Sequence, residues 1–128
     1  LNLLLDTHVL LWAAGGSRKL PAKSRKILLD DRNNLFFSPA NLWEIVIKRG
    51  LRDDFKADPH RFRKLLIANG YRELAVTSEH VLAVDRLPAL HKDPFDRILL
   101  AQARSEGMLL LTADSQIIRY GEGVVPAR

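Results

Sequence analysis

Three runs of consecutive apolar residues, Leu3-Leu4-Leu5, Leu35-Phe36-Phe37 and Leu109-Leu110-Leu111, constrain this chain more than any other feature. Each has the length of a strand and none alternates with polar residues, so the strands they form must be covered on both faces. Between them lie segments with helical spacing and strong end signals. A helix is expected over Thr7 to Ala14, stopped by Gly15-Gly16, and another over Ala22 to Asp31, opened by Pro21, with Ile27, Leu28 and Leu29 facing inward. Ser38-Pro39, Asp58-Pro59 and Asp93-Pro94 are cap-then-proline starts for helices ending near Gly50, Asn69-Gly70 and Glu106-Gly107. Ser78 caps a further helix to about Arg86, and a short one runs from Ser115 to Tyr120. Leu74 to Val76 and Val124-Val125 are the remaining strand candidates. This alternation specifies an α/β layer fold with a mainly parallel sheet of four to five strands, helices on both sides. Ligands in such sheets sit beyond the carboxyl ends of the strands, the edge where Asp6 and Asp114 fall.

A chain of 128 residues fits one domain with one core, and 47% apolar with 27% charged residues is a globular balance. The absence of cysteine excludes disulfides, thiolate metal sites and thiol nucleophiles. Any metal must be held by oxygen or imidazole. No apolar run approaches the roughly 18 residues that cross a bilayer, and no basic segment precedes an apolar one near the start, so the cytoplasm is the expected location, without a membrane partner. Residue 1 is Leu, so the numbering begins inside the gene product or after a lost start, and no function is attached to that. The net charge of +5 favours polyanions such as nucleic acid, although a merely soluble basic protein would have it too.

Four acids stand out against ordinary explanations. Asp6, Asp93 and Asp114 each precede a helix, where a carboxylate serves as a cap, and Asp96 falls in the first turn of a helix capped by Asp93. Glu44 lies four residues before Lys48, a helical ion pair worth about 0.3 to 0.5 kcal/mol. The surroundings add weight to two of them. Glu44 is the sole charge in Leu42-Trp43-Glu44-Ile45-Val46-Ile47, a helical stretch apolar almost all round and therefore expected to be buried. Asp96 heads the apolar stripe of Leu99, Leu100 and Ala103. Buried carboxylates are costly unless compensated, and if Asp6, Glu44, Asp96 and Asp114 converge, a divalent cation is the simplest relief. Oxygen ligands suit Mg²⁺ or Mn²⁺, and such an ion suits phosphodiester hydrolysis.

At these residues the sequence resembles the PIN domain, and more closely the VapC-type toxins of bacterial and archaeal toxin–antitoxin pairs. The matching segments are Leu4-Leu5-Asp6-Thr7-His8, Ser38-Pro39-Ala40-Asn41-Leu42-Trp43-Glu44-Ile45, His91-Lys92-Asp93-Pro94-Phe95-Asp96-Arg97 and Leu110-Leu111-Thr112-Ala113-Asp114. They span nearly the whole chain in the family's order. The resemblance implies a three-layer α/β/α sandwich, divalent-metal-dependent cleavage of RNA, homodimerisation and a cognate antitoxin that blocks the site. It makes Asp6, Glu44, Asp96 and Asp114 the four acids, with the metal on Asp6, Asp96 and Asp114 and Glu44 ordering a water or ligating directly. Asp93 and Asp96, three apart, could both face the pocket; the family's acid precedes an Ile-Leu-Leu-Ala type of segment, which selects Asp96, with Asp93 preferred as the helix cap and still open as a further metal ligand.

Thr7 and Thr112 flank acids and are candidates for hydrogen bonds to them, to water or to substrate. His8 and His91 invite metal or general-base readings, yet turn or supporting roles are preferred because the acids already supply ligands. Trp12 and Trp43 belong more readily to the core than to a base stack, Trp12 being the better candidate for a partner groove. Arg97, directly after an acid, is expected to contact phosphate or an antitoxin carboxylate. Lys48 and Arg49 are also placed near the site, and Arg18, Lys19, Lys23, Arg25 and Lys26 form a second basic cluster.

Two other enzyme classes fit poorly. No glycine fingerprint follows the first strand, which sets aside a dinucleotide enzyme, and no second acid lies just beyond Asp6 for a phosphoaspartyl mechanism. A catalytically silent PIN-fold binding module is the main competitor, and the presence of all four acids weighs against it.

Overall fold

The first apolar run becomes β1 (Asn2–Leu5), the middle strand of a five-stranded sheet in a computed structural model that describes residues 1–51 and 58–128. The other strands are β2 (Asn34–Phe37), β3 (Arg72–Glu73), β4 (Leu109–Thr112) and β5 (Val124–Pro126). Their order is β3-β2-β1-β4-β5 and every pairing is parallel, with Leu4 opposite Phe36 on one side and Leu110 on the other. Among the described residues the helices are α1 (Thr7–Ala14), α2 (Ala22–Leu29), α3 (Pro39–Leu51), α4 (Pro59–Ala68), α5 (Ser78–Val84), α6 (Pro94–Ser105) and α7 (Ser115–Ile118).

Alternation along each strand sorts the core into two layers. Leu3 and Leu5 face Val9, Leu10, Phe37, Ile45, Phe62 and Leu66, which come from β2, α1, α3 and α4. Leu4 points the other way, to Leu99, Leu100, Ala103, Leu110 and Ile117 from α6, β4 and α7. Helices therefore cover both faces, giving the expected α/β/α sandwich. Each fully buried leucine here contributes on the order of 2 kcal/mol relative to exposure. None of the helices among the described residues is long and apolar enough to cross a membrane.

Several local expectations shift. Pro21 is the N-cap of α2 rather than its first residue, and Leu29, at the end of that helix, is 75% exposed instead of inward-facing. The third strand lies at Arg72–Glu73, ahead of the apolar Leu74 to Val76, because pairing with Phe36 and Phe37 selects it. Leu74 continues only as far as one bond from its N–H to the Phe37 carbonyl, 2.8 Å. Thr77, not Ser78, caps α5: its hydroxyl accepts from His80 N–H while the His80 ring accepts from Thr77 N–H, a reciprocal capping box. Ser38, Asp58 and Asp93 cap as expected, and Gly70 and Gly107 take positive φ after α4 and α6.

The strand order also fixes where a site can form. The chain leaves β1 towards β2 on one side, while β4 lies on the other side of β1. Between the carboxyl ends of β1 and β4 the connections diverge and leave a crevice, the usual ligand position of an open parallel sheet.

Candidate functional site

Asp6 follows β1 directly and is 2% exposed. It caps α1, accepting from Val9 N–H at 2.8 Å through Oδ1, while Oδ2 accepts the Thr112 hydroxyl and the Ala113 N–H at 3.2 Å. Both oxygens are thus engaged. Burial nevertheless pushes its pKa above the ordinary range, with the Thr112 and Val9 hydrogen bonds opposing the rise.

Glu44 reaches the same crevice from α3 and is 3% exposed. Its Oε1 accepts the Thr7 hydroxyl at 2.6 Å and its Oε2 pairs with Lys48 Nζ at 2.9 Å. Asn41 underpins this arrangement, donating through Nδ2 to Thr7 Oγ1 at 3.0 Å and to the Leu5 carbonyl at 3.2 Å, while its Oδ1 accepts Ser38 N–H at 2.7 Å. The chain from Asn41 through Thr7 to Glu44 ties the start of α3 to the end of β1. The helix around Glu44 is not buried all round, however. Trp43, expected in the core, is 60% exposed, and Val46 and Ile47 are also exposed. α3 packs one face only, and Glu44 lies on it.

Asp96, in the first turn of α6, is 8% exposed and has one hydrogen-bond partner among the described residues, His91 Nε2 at 2.9 Å from Oδ2. Burial, followed by the charge of Asp93, raises its pKa to about 7, and Asp114 and Glu44 add to the rise against the His91 hydrogen bond. Asp93 does cap α6, accepting from Phe95 N–H at 2.9 Å and, more weakly, from Asp96 N–H at 3.5 Å. It also belongs to a cluster with His91 and Asp96 in which one ligand atom from each lies within 4.8 Å of the others. Capping and a place in the pocket are therefore not alternatives for Asp93.

Asp114 follows β4 and caps α7 through Gln116 N–H at 2.7 Å. Its other oxygen lies 3.5 Å from His91 Nε2, and its own N–H donates to Thr112 Oγ1 at 3.0 Å. Thr112 thus links Asp114 to Asp6. The four sequence-selected acids and Asp93 meet at one sheet edge, joined through Thr7, Thr112 and His91. Among the described residues the group whose ligand atoms all lie within 4.8 Å of one another is His91, Asp93 and Asp96, without Asp6 or Asp114.

Other expected site residues fall elsewhere. The Thr7 and Thr112 hydroxyl protons are both given to carboxylates, so neither donates to a substrate. Arg97 turns from the pocket: Nη2 donates to the Val84 and Leu87 carbonyls at 3.2 and 3.3 Å, closing the end of α5, where four carbonyls lack helical partners. A phosphate contact by Arg97 is not part of this arrangement. His8 is exposed, with its ring tilted against Trp12 at 6.1 Å. Arg49 is exposed, 4.0 Å from Asp58, and Arg18, Lys19, Lys23, Arg25 and Lys26 are exposed on α2 and the loop before it. Asn41 and Tyr120 are the residues the sequence left without a role. Asn41 was legible as a helix-start side chain three residues after Ser38, whereas nothing in the sequence links Tyr120 to the loop it holds.

A family model described as the PIN domain matches residues 3–123. Among solved structures, a chain of the VapBC2 complex of Rickettsia felis bound to a DNA fragment from its promoter is 15% identical at a TM-score of 0.68, the match covering 97% of this chain and 96% of that one. A chain of DNA-bound VapBC from Salmonella typhimurium is 16% identical at 0.69, covering 100% and 99%. A chain of a toxin–antitoxin complex from Klebsiella pneumoniae is 20% identical at 0.65, covering 98% of each. Comparison with curated proteins gave no match.

Proposed function

The chain belongs to the PIN domain family, and from that premise we propose that it is a divalent-metal-dependent endoribonuclease, the toxin of a toxin–antitoxin pair. The observation that carries this reading is the gathering of Asp6, Glu44, Asp93, Asp96 and Asp114 at the β1–β4 crevice, answered at hydrogen-bond range only by Lys48 and His91 among basic side chains of the described residues. Such a surplus of oxygen donors fits Mg²⁺ or Mn²⁺. Asp96 and Asp114 hold the ion in this reading, Asp6 completes the set from β1, and Asp93 is placed to join. When bound, the ion supplies an activated water and neutralises charge developing on the phosphate.

The chain's own residues do the rest. Glu44, with both oxygens fixed by Thr7 and Lys48, orders the attacking water, and Lys48 Nζ adds positive charge beside the phosphate. The net charge of +5 holds the RNA backbone. The toxin role is supported by the fold shared with chains of VapBC and toxin–antitoxin complexes, from which a cognate antitoxin follows as the partner. A second copy is assigned to the exposed apolar residues Trp43, Val46 and Ile47 of α3 and Val81 of α5, since Trp43 and Val81 line one apolar groove and exposed apolar surface of this kind marks association; a monomeric mass in solution would remove that assignment.

The test is cleavage of an RNA pool by the purified protein with Mg²⁺ or Mn²⁺, beside an EDTA control and Asp96→Asn. Cleavage that needs metal and is lost in the variant is expected. Metal-independent cleavage or full activity in Asp96→Asn overturns the site, and tight RNA binding without any turnover favours a silent binding module.

A further inference from the structure

We propose that His91 is a nitrogen ligand of the divalent ion, and that this donor makes the site prefer Mn²⁺ to Mg²⁺. The inference rests on the metal-binding part of the reading above and extends it, because a nitrogen donor adds a discrimination that oxygen donors alone give only weakly.

The spacing of these groups admits a ligand set. Ligand atoms on adjacent corners of an octahedron with bonds of about 2.1 Å stand about 3.0 Å apart, and atoms on opposite corners about 4.2 Å. His91 Nε2 lies 2.9 Å from Asp96 Oδ2 and 3.5 Å from Asp114 Oδ2. One carboxylate oxygen of Asp93 falls within 4.8 Å of both other ligand atoms in the His91, Asp93 and Asp96 group. An ion can enter among these atoms with small side-chain shifts. Asp96 has His91 as its one hydrogen-bond partner among the described residues, although it is 8% exposed, so the carboxylate is left with little of the protein's own compensation.

His91 is also held in place. Its backbone N–H donates to the Tyr120 hydroxyl at 3.2 Å, and that hydroxyl donates to the Pro88 carbonyl at 2.7 Å. Tyr120 therefore fixes the loop just before α6 on both sides of the turn, and the imidazole reaches the carboxylates from a pinned backbone. A histidine that merely paired with Asp96 would need only one contact; this one faces two carboxylates from different elements. Imidazole is a donor that Mn²⁺ accepts more readily than Mg²⁺, which favours oxygen and water.

The discriminating variant is His91→Gln, whose amide can still donate to Asp96 but is a poor substitute for imidazole nitrogen. Titrations of the full chain with MnCl₂ and with MgCl₂, read by calorimetry, should show Mn²⁺ affinity falling about 10- to 100-fold in the variant, with Mg²⁺ affinity changed only about threefold. Electron paramagnetic resonance of the Mn²⁺-loaded wild type should carry a nitrogen hyperfine coupling that His91→Gln abolishes. Unchanged Mn²⁺ affinity, or a nitrogen coupling that persists in the variant, overturns the role of His91 and leaves the nuclease reading standing. Failure of the wild type to bind either ion overturns both. Far-ultraviolet circular dichroism of the variant, compared with wild type, separates loss of a ligand from loss of the fold.

Discussion

The acid pocket has two unlike halves. On the β1 and α3 side, Asp6 and Glu44 have all four carboxylate oxygens engaged, by backbone N–H groups, two threonine hydroxyls and Lys48. On the α6 side, Asp96 has His91 alone and feels the charges of Asp93, Asp114 and Glu44. The first half is a scaffold whose carboxylate oxygens the protein itself engages, although burial still raises the Asp6 pKa. In the proposed nuclease the second holds charge in reserve for an outside cation. A pocket of evenly satisfied acids would be stable and inert; one of evenly unsatisfied acids would be hard to fold.

The comparison breaks most decisively if equivalent substitutions in the two halves behave alike. Asp96→Asn should cut RNA cleavage by at least about a hundredfold while leaving the melting temperature in EDTA unchanged or higher, since it removes an undercompensated charge. Asp6→Ala should lose cleavage to a similar extent but also about 1 to 2 kcal/mol of stability, because the α1 cap and the Thr112 partner go with it. Parallel cleavage assays and denaturant melts decide between these outcomes. Equal destabilisation by both variants would erase the distinction.

A smaller effect concerns pH. The Asp96 pKa rises from 3.8 to about 7 on folding, so the folded chain binds that proton more tightly than the unfolded one. Its contribution to stability is fully present below the unfolded value and is lost as pH rises through the folded one. Thermal melts of metal-free protein should therefore fall from about pH 4 to about pH 7 and level off above it, Asp96→Asn should flatten the fall, and added Mn²⁺ should reverse it. A melting temperature that rises over this window in EDTA would contradict the picture. The smallest change is expected for Lys48→Ala, about 0.5 to 1 kcal/mol in denaturant melts, because Glu44 keeps Thr7 and the Lys48 ammonium is partly solvated. A loss well below this would mean that Thr7 alone compensates Glu44.

The strands with continuous apolar runs were legible because burial on both faces leaves no room for polar alternation, as in Leu3-Leu4-Leu5 and Leu109-Leu110-Leu111. The proline-marked helix starts were legible for a similarly local reason. What failed depended on distant partners. β3 pairs where Phe36 and Phe37 meet it, two residues before the apolar segment that sequence favoured. Glu44 is buried, yet the reason inferred for it was wrong, since Trp43, Val46 and Ile47 on the same helix face outward. Thr77 displaced Ser78 as a cap because His80 completes a box with it, a choice between two adjacent hydroxyls that spacing alone does not make. His91 was legible only as a turn or supporting residue, and which acids it supports was not, because its position between Asp96 and Asp114 depends on how α6 sits against the end of β4.

The hydrogen bond from Thr112 to Asp6 joins residues 106 positions apart, and β1 acquires its β4 neighbour only through the same late segment. On a ribosome the chain carries Asp6 and Glu44 into the open long before Thr112 and Asp114 are made. The proposed nuclease is consequently silent on a nascent chain that has not yet reached Asp114, and its destructive chemistry waits, by topology alone, on the segment that completes the sheet.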